Sequence, residues 1–105
     1  MRKEKMLAKI GIVMTKDEIK RIKITEHKSG VNVQVDLHEL RKPQAMRFIK
    51  NILNLITGPF NLSVIHGYNH GTVLKNYVNN ELQSKRIKER HVLPNNLGMT
   101  VLSIN

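Results

Sequence analysis

Val64-Ile65-His66-Gly67-Tyr68-Asn69-His70-Gly71-Thr72 is the stretch on which the fold turns: a β-branched run passes through a loop of two glycines and two histidines into a helical pattern. Strand, glycine loop and helix make the repeating unit of α/β architecture. A helix that starts beyond such a loop points backbone N–H groups at a phosphate or carboxylate held there. Glycine loops also serve simply to reverse the chain, so the loop by itself indicates anion binding without assigning it.

Toward the N-terminus, Gly58-Pro59 closes an amphipathic helix opened by Arg41-Lys42-Pro43, with Ala45, Phe48, Ile49, Ile52, Leu53 and Ile56 on its apolar face. Before it, Val31, Val33 and Val35 alternate with Asn32, Gln34 and Asp36, the period of a half-buried strand. If the valines face the helices, Asp36 and His38 project together from the opposite face at the strand's end. Ile22 and Ile24 alternate with charged residues ahead of a turn at His27-Lys28-Ser29-Gly30, giving an optional first strand. Residues 1–28 otherwise read as a basic, partly helical leader, with Met6, Leu7, Ile10, Val13 and Met14 at irregular helical spacing.

Toward the C-terminus, Thr72 is a natural N-cap for a second helix that buries Val73, Leu74, Tyr77, Val78 and Leu82. Arg86 to Leu93 reads as a strand, Pro94 to Gly98 as a turn, and Met99 to Ile104 as a final strand. The order β-α-β-α-β-β predicts an α/β fold, a two-layer sandwich with a mixed four-stranded sheet and two helices on one face. Alternating helices favour mostly parallel strands, and the closing turn adds an antiparallel pair. The 105 residues suit one domain, here 29–105 behind the leader.

Eighteen Lys and Arg against eight Asp and Glu give a net charge of +10 and a pI near 10.2. Nine basic and four acidic residues fall in 1–28 and the same numbers in 29–105, so the leader is the denser source of charge. Such a balance makes nucleic acid the leading partner class. A membrane surface fits less well, because there is no sustained amphipathic helix with aromatic anchors and no Trp. No cysteine is present, which excludes disulfides, thiolate nucleophiles and Cys-ligated zinc. No run approaches a membrane span and the opening residues make a poor signal peptide, so a cytoplasmic protein is expected.

If the two core strands run parallel and adjacent, Asp36-Leu37-His38 and His66-Gly67 share the carboxyl edge of the sheet, where open α/β sheets bind ligands. A carboxylate, imidazoles and a helix N-terminus converging there could activate a hydroxyl, protonate a leaving oxygen and hold a phosphate. These residues resemble the motifs of the Smr domain, the small MutS-related module. The family's first motif, Asp-Leu-His-Gly, reads Asp36-Leu37-His38-Glu39 here, and its His-Gly-x-Gly type loop is matched by Val64-Ile65-His66-Gly67, resuming at Gly71-Thr72. Gly98-Met99-Thr100-Val101-Leu102 is similar to the family's closing strand, and the likeness runs from about residue 31 to 104.

The resemblance implies a nucleic-acid-binding α/β sandwich, with nuclease activity on RNA or DNA in parts of the family. It implies Asp36 and His38 as the chemical pair and His66 with Gly67 and Gly71 as the shapers of the substrate loop; beside it, His66 is also a candidate catalytic residue, and Tyr68, Asn69, His70, Thr72, Lys75, Arg41 and Lys42 are candidate nucleic-acid contacts. RNA is expected over DNA, since an imidazole or carboxylate can take the ribose 2′-OH proton while a second group protonates the leaving oxygen. That scheme needs neither metal nor cofactor, whereas DNA would need an activated water. The histidine and carboxylate spacing matches no recognised metal site. Two departures stand out: Glu39 occupies the place of a glycine, and Tyr68-Asn69-His70 lacks the loop's middle glycine.

Plainer readings run alongside. Asp36 can cap nearby backbone groups, His66 can be a packed histidine at a strand end, and scattered lysines can be solvated surface. A different functional class is a catalytically silent nucleic-acid-binding or ribosome-docking module. A third is a protein-interaction adaptor.

Overall fold

The computed structural model describes residues 2–67, 72–93, 95 and 98–105. Five strands form one sheet: β1 (Ile22–His27), β2 (Gly30–Asp36), β3 (Phe60–Ile65), β4 (Ile87–Val92) and β5 (Met99–Ile104), in the spatial order β1-β2-β3-β5-β4. The fold is α/β with a mixed sheet, as the strand and helix patterns predict, and the optional first strand is present as the fifth.

The mostly parallel sheet expected from the alternating helices is corrected. β2 and β3 pair in parallel, while β1 with β2, β3 with β5 and β4 with β5 all pair antiparallel. The physical reason lies in the last hairpin. β2, β3 and β4 point the same way, as strands linked through helices do, but β5 folds back from β4 into the space beside β3.

Alternation decides which face each side chain joins. Val33 pairs with Leu62, Val35 with Val64, and Leu62 with Leu102, so these residues lie on one buried face. The other face carries Asn32, Gln34 and Asp36 from β2 with Asn61 and Ile65 from β3. Helix α3 (Lys42–Leu55) covers the apolar face through Ala45, Phe48, Ile49, Ile52 and Leu53. Full burial of each large side chain among these contributes about 1.5–3 kcal/mol. Pro43 sits in the helix's first turn, and Gln44 Oε1 accepts the Arg41 N–H at 3.1 Å.

Residues from the leader enter the same core. Helix α1 (Arg2–Val13) buries Met6 and Ile10, and Met14 follows one turn later, a stripe at four-residue intervals; Leu7 and Val13 are exposed. Helix α2 (Lys16–Lys20) starts at a capping box: Thr15 Oγ1 accepts the Glu18 N–H at 3.1 Å, and Glu18 Oε1 accepts the Thr15 N–H at 3.0 Å. The expectation of two helices on one face therefore omits α1, which packs on that same core, while α2 contributes no buried residue.

The second expected helix also differs. Helix α4 (Val73–Asn76) has four residues and runs into a π-helical turn at Tyr77–Glu81, closed by Leu82 N–H to Tyr77 O at 2.7 Å. Tyr77, Val78 and Leu82 are buried, Leu74 is partly so, and Val73 is exposed. Thr72 occupies the cap position without a side-chain capping bond. Among the described residues, no helix is long and apolar enough to cross a membrane.

Two arginines that read as surface charge are structural. Arg86 caps the carboxyl end of α3, its Nη1 donating to the carbonyls of Leu53 and Ile56, its Nη2 to Gly58 O at 2.8 Å and its Nε to Asn105 O at 3.0 Å. Its guanidinium also lies over the Phe60 ring, 5.5 Å from the centroid. Arg90 donates to the carbonyls of Val78 and Leu82 around the π-helical turn. Both serve carbonyls that a helix end leaves without partners.

Candidate functional site

The parallel pairing of β2 with β3 sets Asp36 opposite Ile65, and Leu37 N–H continues the ladder to Ile65 O at 2.7 Å. Leu37 is fully buried and anchors the chain just where it leaves the sheet. Asp36 and His38, on either side of it, face away from the helices. His38 Nδ1 lies 2.5 Å from Asp36 Oδ1, and the same oxygen accepts the His38 backbone N–H at 3.0 Å. A carboxylate against Nδ1 holds the N–H there and leaves Nε2, 4.0 Å from Glu39 Oε1, as the ring's accepting nitrogen, the arrangement of an oriented general base. The His38 side chain is 53% exposed and that of Asp36 32%, so a substrate can reach the pair.

The second motif begins alongside. A Cβ placed on Gly67 would lie 3.7 Å from the His38 Cβ, and Gly67 has φ of +75°, a left-handed conformation that favours glycine. Both His66 N–H and Gly67 N–H reach Gly98 O, at 2.9 and 3.1 Å, tying the loop's start to the segment ahead of β5. The two strand ends therefore meet as their motifs predict. Tyr68, Asn69, His70 and Gly71 lie outside the described residues.

His66 takes a different position from Asp36 and His38. Its imidazole turns to the helix side of the sheet, 5% exposed, with Nε2 at 2.9 Å from Thr100 Oγ1 and Nδ1 at 3.0 Å from Gly67 O. The Thr100 hydroxyl in turn donates to Asn79 Oδ1 at 2.6 Å. This chain joins the start of the loop, β5 and the π-helical turn. Burial, the largest influence, lowers the His66 pKa below its ordinary value of 6.5; the Gly67 carbonyl opposes this and the charge of Lys75 reinforces it. The ring is thus neutral at neutral pH, with a single N–H to share between Gly67 O and Thr100 Oγ1, and the structure does not bring it to the Asp36–His38 pair.

That placement has a pH consequence. The unfolded chain binds a proton at His66 more readily than the folded chain, so folding stability is fully present above about pH 6.5 and declines as the pH falls below that value toward the lower folded pKa. Chemical denaturation at a series of pH values between about 5 and 7.5 should show a shallower decline in His66→Gln than in the wild type. Identical slopes would contradict a buried neutral ring.

Arg21, which the motifs do not mark, completes the edge. Its Nη1 donates to the carbonyls of Asp36 and His38 at 3.1 and 2.9 Å, and its Nε donates to Asp17 Oδ2 at 3.0 Å. The signal that could have found it is the pairing of Ile22 with Val35, which sets the residue before β1 beside the end of β2. Of the flanking cations, Lys42 Nζ sits 2.5 Å from Glu81 Oε1, while Arg41 opens α3 at the same edge and is exposed. Lys75 is close enough to His66 to act on its titration. Arg86 and Lys88 lie at the other end of the sheet, near the start of β3.

Glu39 stands at φ of +70°, in the left-handed region, among described residues the one non-glycine there. Its carboxylate reaches 4.0 Å from His38 Nε2. The glycine of the resembled motif is thus explained by backbone geometry, and here a glutamate bears the strain at a cost of about 1–2 kcal/mol.

Compared with known proteins, the chain matches no family model and no curated sequence. The likeness to the Smr domain accordingly rests on the motif residues and their order.

Among the described residues, no group of three or more His, Asp or Glu is arranged to hold a metal ion. Two hollows, one beside Gly30, Pro59 and Asn105 and one between α3 and the π-helical turn, are lined without Asp36 or His38.

Proposed function

We propose that this chain binds nucleic acid along the carboxyl edge of β2 and β3 and cleaves RNA there without a metal, as a cytoplasmic protein of the Smr type. The observation that carries the reading is the Asp36–His38 pair, with Nδ1 held at 2.5 Å and the imidazole half exposed. In this reading Nε2 removes the ribose 2′-OH proton, the 2′-oxygen attacks the adjacent phosphorus, and the P–O5′ bond breaks to leave a 2′,3′-cyclic phosphate. The departing 5′-oxygen takes a proton from water or from the imidazolium, and Asp36 stabilises that imidazolium while it lasts. RNA is favoured over DNA because the 2′-OH supplies the nucleophile. The net charge of +10 supplies attraction for the phosphate backbone.

Binding is tested by retardation of single-stranded RNA in native gels over a range of salt. Contacts from Arg41, Lys42 and Lys75 to three phosphates predict a slope of log affinity against log salt near about −2. An adaptor that needs its charge only for solubility would retard neither RNA nor DNA at low salt.

A second reading, a silent RNA- or DNA-binding or ribosome-docking module, is favoured by one observation: the Glu39 carboxylate beside His38 Nε2 places negative charge where a phosphate would come. Glu39→Gly should raise stability by about 1 kcal/mol, since relief of left-handed strain exceeds the entropy lost with glycine. It should also tighten RNA binding. Tighter binding without cleavage in either protein would support the silent module.

A further inference from the structure

We infer that Arg21 is a positioning residue for the Asp36–His38 pair, so that the N-terminal segment is a working part of the site. This rests on the reading of that pair as the chemical centre. The argument starts from the chain's geometry at the end of β2. Past Asp36 the backbone leaves the sheet, and Leu37 supplies its one ladder bond to Ile65. The carbonyls of Asp36 and His38 are then free to turn with the chain, and any rotation there swings both side chains.

A single guanidinium nitrogen closes that freedom by donating to both carbonyls, at 3.1 and 2.9 Å, while the Arg21 carbonyl accepts the Asp36 N–H at 3.0 Å. Residue 36 is thereby gripped at its N–H and at its carbonyl, and residue 38 at its carbonyl. The rigid guanidinium plane links those two carbonyls, through Nη1, to the Asp17 carboxylate, through Nε, at the same time, which a single ammonium nitrogen on a flexible stem does not. The guanidinium is itself oriented: Nε donates to Asp17 Oδ2, and Asp17 is held on α2, which the Thr15–Glu18 capping box starts. The Arg21 side chain is 18% exposed, packed against the turn it holds and not extended into solvent as a phosphate ligand would be. Order thus passes from the cap at Thr15 through Asp17 and Arg21 to the angle between Asp36 Oδ1 and His38 Nδ1.

The test uses the full chain as wild type, Arg21→Ala and Arg21→Lys, with circular dichroism to establish that each is folded. Ring ¹⁵N spectra at neutral pH report which nitrogen of His38 carries the proton. Single-turnover cleavage of labelled RNA and gel retardation report rate and affinity separately. Wild type should show the Nδ1–H form. Arg21→Ala should mix the two forms and lower the rate at saturating protein by about tenfold to 100-fold, and Arg21→Lys, which keeps the charge, should recover only part of either loss. Unchanged tautomer populations in both folded variants would overturn the inference, as would full recovery by lysine, which would make Arg21 a mere charge. If Arg21→Ala does not fold, the lysine variant's spectrum decides alone. A wild type that does not cleave, together with a tautomer shift in the variants, would leave the positioning role standing and remove the nuclease reading.

Discussion

His38→Ala is expected to lower single-turnover RNA cleavage by about 10²-fold to 10⁴-fold while leaving RNA affinity within a few-fold of wild type. The expectation follows from what the side chain touches. His38 Nδ1 is bonded to Asp36, its ring is half exposed, and neither of its nitrogens is bonded to anything that holds the fold together. Removing it deletes the base and little else. Asp36→Ala should fall in rate as well, and by a partly structural route, because Asp36 Oδ1 also accepts the His38 backbone N–H. Asp36→Asn separates the two effects: it can still accept that N–H, yet it lacks the charge that stabilises an imidazolium. Its rate should therefore lie well below wild type but above that of Asp36→Ala, the gap between the two variants reporting the structural part. Cleavage that survives all three substitutions would place the chemistry elsewhere.

The largest expected loss of stability is at the opposite end of the sheet. Arg86→Ala should destabilise the fold by about 3 kcal/mol and lower the melting temperature by roughly 10–20 °C. The guanidinium there serves the carbonyls of Leu53, Ile56, Gly58 and Asn105 and covers the Phe60 ring. Truncation leaves the end of α3 without these donors, and an unmet part-buried carbonyl costs more than a hydrogen bond contributes when made. Arg86→Lys should recover only part of the loss, since an ammonium on a flexible stem cannot serve acceptors spread around a planar fork. A thermal melt within about 3 °C of wild type would show that water replaces the arginine at little cost.

The fold was legible in the sequence where a single periodicity decided the outcome. The alternating valines of β2, the apolar face of α3 and the parity that puts Asp36 and His38 on one side all follow from local pattern. Strand order did not, because β5 inserts beside β3 through a hairpin whose placement depends on tertiary pairing rather than on the run from Met99 to Ile104. The start of α2 was legible in principle: Thr15-Lys16-Asp17-Glu18 is a capping-box pattern, set in a segment dense in charge.

The same division holds for the site. The sequence placed Asp36 beside His38 through an interval of two residues, and their contact is local. His66 and Arg21 were beyond its reach for a shared reason: each acts through partners distant in the chain, Thr100 for one and the turn at residues 36–38 for the other. A histidine at a strand end can face either layer, and here β3 directs it inward. Likewise, nothing in the spacing of Arg86 and Arg90 distinguishes a helix cap from a surface charge until β4 is laid at the edge of the sheet. Their commitment to backbone carbonyls reduces the charge available to a polyanion and shifts attention to Arg41, Lys42 and Lys75 near the motifs.

The most direct measurement of the central claim is incubation of the purified chain with end-labelled single-stranded RNA in excess EDTA, alongside the same sequence made as DNA. The account predicts RNA fragments ending in 2′,3′-cyclic phosphate, none from DNA, and loss of those fragments in His38→Ala. Intact RNA in the presence of bound wild-type protein, or fragments that persist in His38→Ala, would contradict it.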